Sequence, residues 1–473
     1  MSFSSQLLLG TIYTAIAKYS SLTISLLITV FLARIISPED FGTVAIASIV
    51  IMFFSTITTM GISPAIVQDK ELSSYDINSI YSFTLLLSVI FALLFCAISP
   101  IIAFVYSDNQ LMIVCCLLSL SVLFSFANIV PNALLLKQKI FKFIAIRTLI
   151  VQVIVGIFAI IAALKGAGLY ALLINPVIGS MLIYYISIKN EYVELQMTTH
   201  IVWSSVKKIA RFSIYQMMFN VLYLLYRNID KLIIGGTYGM TSLGYYEKSY
   251  RFMMLPLENI SGVIGPVLHP LLSDLQKDPQ SIMRKYLKIQ RVASFIGFPL
   301  SVLCYFSAED LIILIFGEQW YPSVPIFRIL ALSVGIQVAQ SSIGPVLQAL
   351  GNPRKLFFAS FFSFIVVLMS ILIGLYFGGI ELVALMLVVA FHMVYIIYHL
   401  FLWSEEKIYS FIRYVWILFP AIGYSLIMAA ILFWGRKIIC IESHIYSLLF
   451  NITIIGIFML PFGWKKIVKQ YEN

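Results

Sequence analysis

Apolar residues run along this chain in long, nearly unbroken stretches, and the polar and charged residues gather in short segments between them. A helix needs about 20 apolar residues to cross a bilayer. By that measure the pattern predicts spans over 9–33, 41–66, 79–106, 110–136, 141–164, 167–188, 209–234, 243–272, 286–316, 323–350, 354–378, 381–403, 411–435 and 443–463. The reading is all-α: a polytopic membrane protein of about fourteen transmembrane helices. The longest connection, Lys189–Lys208, is about 20 residues, so no soluble catalytic or nucleotide-binding domain fits. The first stretch ends at Ala33-Arg34 without a small-residue cleavage site and is expected as a retained helix.

Composition agrees. Of 473 residues, 61% are hydrophobic and 11% charged, against roughly 45–50% apolar and about 25% charged in soluble domains. The formal net charge is +10, from 31 Lys and Arg against 21 Asp and Glu. In a membrane protein the placement of those cations matters more than their number. Alternate connections hold 21 of them, among them Lys137, Lys139, Lys142, Arg147, Lys277 and Lys465. The other set holds four: Arg34, Lys165, Arg436 and Lys437. Basic connections stay in the cytoplasm, which puts both termini there. The same asymmetry explains the net charge with no nucleic acid as a partner. Cys96, Cys115, Cys116, Cys304 and Cys440 lie mostly in apolar runs and form no CxxC pair, so neither a metal site nor a disulfide framework is suggested. No P-loop glycine run is present, and no cofactor is expected.

The chain reads as a duplication. Phe41-Gly42 after the first span and Leu243-Gly244 after the seventh lie 202 residues apart, and the same offset carries Pro64 onto Pro266. Six spans separate equivalent helices, an even number, so the halves run parallel. Transporters place parallel repeats around a central site. The expected organisation is two pseudo-symmetric six-helix lobes, 1–190 and 191–404, with two peripheral helices over 405–473.

Two helical faces carry candidate chemistry. On the first span Thr11, Thr14, Lys18, Ser21, Ser25 and Thr29 recur every three or four residues. On the seventh, Ser213, Gln216, Asn220, Tyr223, Arg227 and Asp230 do the same. Each set forms one polar stripe. A stripe facing lipid is costly, so both must look into protein or water. Ser and Thr also act as hydrogen-bonding glue between membrane helices, the plainer reading of those positions. Lys18, Asn220, Arg227 and Asp230 are harder to read as glue. Lys18 lies roughly 13 Å into its helix, too deep to snorkel easily to the surface. Around the seventh and eighth spans, Arg227, Lys231, Lys248 and Arg251 outnumber Asp230 and Glu247, four cations to two anions. Surplus buried cation asks for an anionic ligand or water; the alternative is an interfacial salt-bridge cluster. A phosphate or diphosphate headgroup on a lipid suits such a cleft. The candidate binding set is Lys18, Ser21, Ser25, Gln216, Asn220, Tyr223, Arg227, Asp230, Lys248 and Arg251.

Other signals count for less. His392 and His399 share one face of their span, as a proton relay or, more plainly, as packed histidines. Glu309 and Asp310 are adjacent, point apart on a helix and are expected on solvated faces. Gly235-Gly236 and Gly378-Gly379 are expected as helix-end turns.

The run LARIISPEDFGTVAIAS at Leu32–Ser48 resembles the first-loop signature of bacterial polysaccharide flippases. These are the Wzx-like oligosaccharide exporters of the multidrug/oligosaccharidyl-lipid/polysaccharide superfamily. RNIDKLIIGGTYGMTSLGYYEKSYRFMMLP at Arg227–Pro256 is similar to the matching segment of their second half. GISPAIVQ at Gly61–Gln68 and PNALLLKQKIFK from Pro131 also fit, so the resemblance covers essentially the whole chain. It implies a V-shaped, two-lobed bundle in a bacterial cytoplasmic membrane. Such a bundle moves undecaprenyl-diphosphate-linked oligosaccharide from the inner to the outer leaflet by alternating access, for surface polysaccharide such as lipopolysaccharide O-antigen. It implies that basic residues on the first and seventh helices line the cavity, places that Lys18 and Arg227 occupy. The implied partners are the lipid-linked oligosaccharide and the bilayer, with a polysaccharide polymerase and a chain-length regulator as candidate protein partners. The chain departs from the family at Glu247-Lys248, where a small residue is usual. Two alternatives stand beside this transporter reading. A drug or cation exporter of the same superfamily calls for a less basic cleft and more intramembrane acids. A membrane-embedded O-antigen polymerase or ligase calls for a long outer loop with reactive residues.

Overall fold

The computed structural model describes residues 3–58, 62–68, 72–198, 203–273, 278–350, 353–406, 411–439 and 443–471. Helix occupies the described part of every predicted span, and the described residues contain no strand. The chain divides into two compact units, Met1–Gly244 and Tyr245–Asn473. The first holds α1 (Phe3–Ile35), α2 (Pro38–Thr58), α3 (Ile62–Gln68), α4 (Ser74–Tyr106) and α5 (Asn109–Ala127). It continues with α6 (Ile129–Lys137), α7 (Phe141–Leu164), α8 (Leu169–Ile188) and the first part of α9 (Trp203–Ser273). The second holds the rest of α9, then α10 (Pro279–Phe306), α11 (Ala308–Phe316), α12 (Ser323–Ala331), α13 (Val334–Gln340) and α14 (Ile343–Ala349). It ends with α15 (Pro353–Phe377), α16 (Ile380–Glu406), α17 (Phe411–Trp416), α18 (Phe419–Ile438) and α19 (His444–Tyr471).

Among the described residues ten helices are long and apolar enough to cross a membrane. A pair bent by 44°, Ser323–Ala331 with Val334–Leu347, makes an eleventh when counted as one span, and His444–Phe458 is a shorter apolar helix. Large apolar side chains stand on the surface, Phe104 at 85% and Tyr376 at 86% exposure. Lipid solvates such side chains and water does not. The chain is a multi-pass membrane protein.

Local chemistry explains where the helices start. Ser37 Oγ accepts from Asp40 N at 3.2 Å, and Pro38 opens α2, where its missing N–H costs nothing. Glu39 and Asp40 then sit on the positive end of the helix. Ser73 and Asp76 form a capping box on α4, each side chain accepting from the other's backbone N–H at 3.1 Å. Asp108 caps α5 by accepting from Gln110 N at 2.9 Å, and its second oxygen accepts from Thr43 Oγ1 of α2 at 3.0 Å. Asp278 caps α10, and its bonds from the Ser281 hydroxyl and N–H hold its carboxyl below the ordinary carboxylate range.

The seventh and eighth predicted spans meet without a loop. Helix α9 continues through Gly235 and Gly236, which are helix interior and not the expected turn. The break falls at Gly239, with φ 80° and ψ 174°, backbone that only glycine adopts freely. Gly378 and Gly379, with φ 89° and 90°, do form the turn between α15 and α16. The duplicated glycines meet each other's equivalent segment. A Cβ on Gly42 would lie 1.9 Å from the Met240 carbonyl oxygen, and a Cβ on Gly244 would lie 1.9 Å from that of Pro38. The 202-residue offset carries Pro38 onto Met240 as it carries Gly42 onto Gly244. All four residues belong to the first unit, so the contact is reciprocal: each glycine lets one helix start close on the start of its repeat.

In the first unit Phe54, Phe91, Phe95 and Phe126 form an edge-to-face cluster with centroids 5.6–5.8 Å apart. In the second, α18 packs on α10 and α19 on α11, around Met428, Leu432 and Ile455.

Candidate functional site

The first polar stripe lies on α1, and its members have different surroundings. The Lys18 side chain is exposed and meets no partner among the described residues. One turn on, Ser21 Oγ donates to Gln152 Oε1 of α7 at 2.5 Å, and Gln152 Nε2 donates to the Ser21 carbonyl at 2.9 Å. Ser21 therefore joins α1 to α7, the helix-to-helix use of small polar residues. Ser25 is half-buried. The side chains of Thr11 and Thr14 lie outside those described.

On α9 the side chains of Gln216, Asn220 and Tyr223 also lie outside those described, although their backbone is helical. Arg227 is half-buried with its guanidinium 5.9 Å from the Tyr226 ring centre. Asp230 is buried at 2% exposure. Lys231 Nζ donates to Asn228 Oδ1 at 3.3 Å.

The second unit separates the remaining candidates. Lys248 is buried, its Nζ 6.0 Å from the Phe316 ring centre and 5.9 Å from that of Trp320, within cation–π range. Arg251 is exposed and pairs with Glu247 at 3.9 Å, one turn apart. The three charges thus occupy two faces of the helix, one aromatic and enclosed, one open.

Three polar features were not legible in the sequence. Asp310 is buried: its Oδ2 accepts from Arg436 Nη2 at 2.6 Å and Ser447 Oγ at 2.7 Å, and its Oδ1 lies 2.9 Å from His444 Nδ1. This corrects the expectation of a solvated face, which holds only for Glu309, itself 3.8 Å from Arg328. The network ties α11 to the ends of α18 and α19, so these helices are anchored by charge as well as packing. The available signal was the scarcity of cations in that set of connections: Arg436, beside apolar spans, had to find an acid. Arg147, expected in a connection, is buried inside α7, donating to Ser187 Oγ and, at 3.1 Å, to Asn132 Oδ1. Removing it leaves the sign of the charge asymmetry unchanged. His399 is fully buried, with Nε2 2.6 Å from Tyr286 Oη and Nδ1 2.7 Å from the Tyr395 carbonyl. Both ring nitrogens are satisfied by neutral groups, which supports packing over a relay. The described residues hold no group of three or more His, Cys, Asp or Glu placed to bind a metal.

Comparison with known proteins places this geometry. A family model described as polysaccharide biosynthesis protein matches residues 31–325. The succinoglycan biosynthesis transport protein ExoT of Rhizobium meliloti is 23% identical over 73% of this chain and 69% of its own. The lipopolysaccharide biosynthesis protein WzxC of Escherichia coli is 23% identical over 79% of this chain and 76% of its own. Among solved structures, lipid II flippase MurJ in an inward closed conformation superposes with a TM-score of 0.75 at 17% identity, over 96% of this chain and 99% of that one. That likeness establishes the fold.

Proposed function

This chain belongs to the polysaccharide biosynthesis protein family, and from that premise we propose that it is a flippase for lipid-linked oligosaccharide. It carries undecaprenyl-diphosphate-linked repeat units across a bacterial cytoplasmic membrane for surface polysaccharide assembly, with both termini in the cytoplasm. The observation that carries the reading is Lys18, an exposed ammonium on a membrane-spanning helix with no partner among the described residues. A cation at that depth needs water, an anion or both. A diphosphate entering from the inner leaflet supplies the anion, and its lipid tail stays in the bilayer. Arg227 and Arg251 are the next contacts for the headgroup. Lys248, enclosed by Phe316 and Trp320, acts in packing. The stripe of Gln216, Asn220 and Tyr223 meets sugar. Rocking of two parallel halves alternates access.

Loss of the protein tests this. Deletion should leave fully assembled, unpolymerised repeat units facing the cytoplasm, read by leaflet-selective labelling of the glycan. Purified protein in liposomes should move the same lipid-linked units between leaflets. Single units collecting on the outer leaflet would favour the polymerase alternative. Efflux of cationic dyes with no effect on glycolipid would favour the drug exporter.

A further inference from the structure

The first unit contains a cavity of about 400 Å³ between α5, α7 and α8. Its size falls within the roughly 300–1,000 Å³ of small-molecule sites. Ser121 and Ser125 come from α5, Gln152 from α7, Asn175 and Gly179 from α8, and Asn128 from the α5–α6 break. The lining holds no charged side chain. Gln152 and Gly179 stand in the middle turns of spanning helices, and Ser125 and Asn128 at the α5–α6 break, in a part of the bundle where lipid offers no hydrogen bonds.

The polar groups there are in two conditions. Gln152 is fixed, both ends of its amide held by Ser21. Among the described residues Ser121 and the exposed Ser125 and Asn175 make no side-chain hydrogen bond, and Asn128 Oδ1 is the one buried atom of the set without a partner. An unsatisfied polar atom away from water costs free energy until something bonds to it. Here residues with hydroxyl and amide groups, able both to donate and to accept, line one space. No carboxylate is present to hold a cation and no basic group to hold an anion. The matching ligand is neutral and presents alternating donors and acceptors around a compact ring, which is the chemistry of a sugar.

We propose that this cavity is a subsite for one neutral sugar residue of the transported glycan. The inference rests on the flippase reading above and adds a second point of recognition to it. The headgroup is held by charge near Lys18, and a sugar is read by hydroxyl and amide groups inside the first unit. Ser21 is then a positioning residue, because it orients Gln152 toward the cavity.

The test compares two ligands on the purified full-length protein in nanodiscs: repeat units extracted from cells lacking the protein, and undecaprenyl diphosphate without sugar. Gly179→Leu fills the cavity. A Cβ at that position meets nothing closer than Asn175 Oδ1 at 3.4 Å, so the backbone need not move. Asn175→Ala, at an exposed position, removes an amide with little change in packing and is the second variant. Both should keep the thermal unfolding midpoint. Both should weaken binding of the repeat unit at least tenfold while leaving undecaprenyl diphosphate within twofold. If the wild type binds both ligands and neither variant changes either, the cavity holds only water and the inference is overturned alone. Equal loss of both ligands would also overturn it, because the cavity would then not be reading sugar. Failure of the wild type to bind either ligand would sink the flippase reading and this inference with it.

Discussion

A lysine ammonium on a membrane-spanning helix is stable only if its positive charge is answered. Lys18 has no acid among the described residues, and an anionic ligand answers it without one. Charge should therefore matter more than shape at this position. Lys18→Arg should keep part of the binding to undecaprenyl diphosphate, and Lys18→Gln should lose about tenfold to a hundredfold, the worth of a charged contact of roughly 1.5–3 kcal/mol. Full complementation of a deletion strain by Lys18→Gln at normal expression would make the residue structural. Asp310 makes the opposite argument, since its charge is answered inside the protein by Arg436 and bonded by Ser447. Asp310→Asn keeps the shape, leaves Arg436 without its anion, and should cost roughly 1.5–3 kcal/mol of stability. Thermal unfolding in detergent measures that cost, and an unchanged midpoint would mean that water screens the pair. Along the chain each was a charge among apolar residues, Lys18 within its span and Asp310 next to Glu309, with nothing nearby to say what answers it. Their partners lie more than a hundred positions away or come from outside, so spacing could not tell them apart.

At the scale of elements, local chemistry explains the helix starts, and of the two expected glycine turns Gly378-Gly379 forms while Gly235-Gly236 is helix interior. Ser37-Pro38-Glu39-Asp40 carries cap, first-turn proline and first-turn acids in consecutive positions, because each acts on backbone within a turn. The expected repeat rests on an offset between two glycines. Its physical meaning came from packing: each glycine admits a backbone carbonyl to where a Cβ would be. Gly42→Ala and Gly244→Ala should each force backbone apart and destabilise by about 1–3 kcal/mol, measured by thermal unfolding. The double variant should cost less than the sum of the two, since one displacement relieves both contacts. Full additivity would show that the two contacts move independently. The break in α9 at Gly239, not at Gly235-Gly236, was hidden because several glycines in one stretch allow a positive φ and only tertiary contact selects among them.

For the whole molecule, the uneven distribution of Lys and Arg predicts an orientation that can be measured. Single cysteines introduced into a cysteine-free version should react with a membrane-impermeant thiol reagent in the Arg436–His444 connection. Those in the Lys277–Lys285 connection should react only after permeabilisation. The reverse pattern would invert the orientation and the direction of transport.

What the sequence determined by itself rests on local or additive physics. The membrane class follows from apolar runs longer than the bilayer is thick, while the count of basic residues and the repeated offset give an expected orientation and an expected duplication. Only tertiary structure decided how each polar residue is used. Ser21 braces Gln152, Lys248 lies beside two aromatic rings, and Asp310 joins α18 and α19. The cavity among α5, α7 and α8 likewise has no signature along the chain. A side chain in a spanning helix has lipid, water or protein beside it, and which one depends on rotation of that helix against distant neighbours. Helical periodicity gives the relative angle of two residues on one helix, but the absolute angle is set by packing.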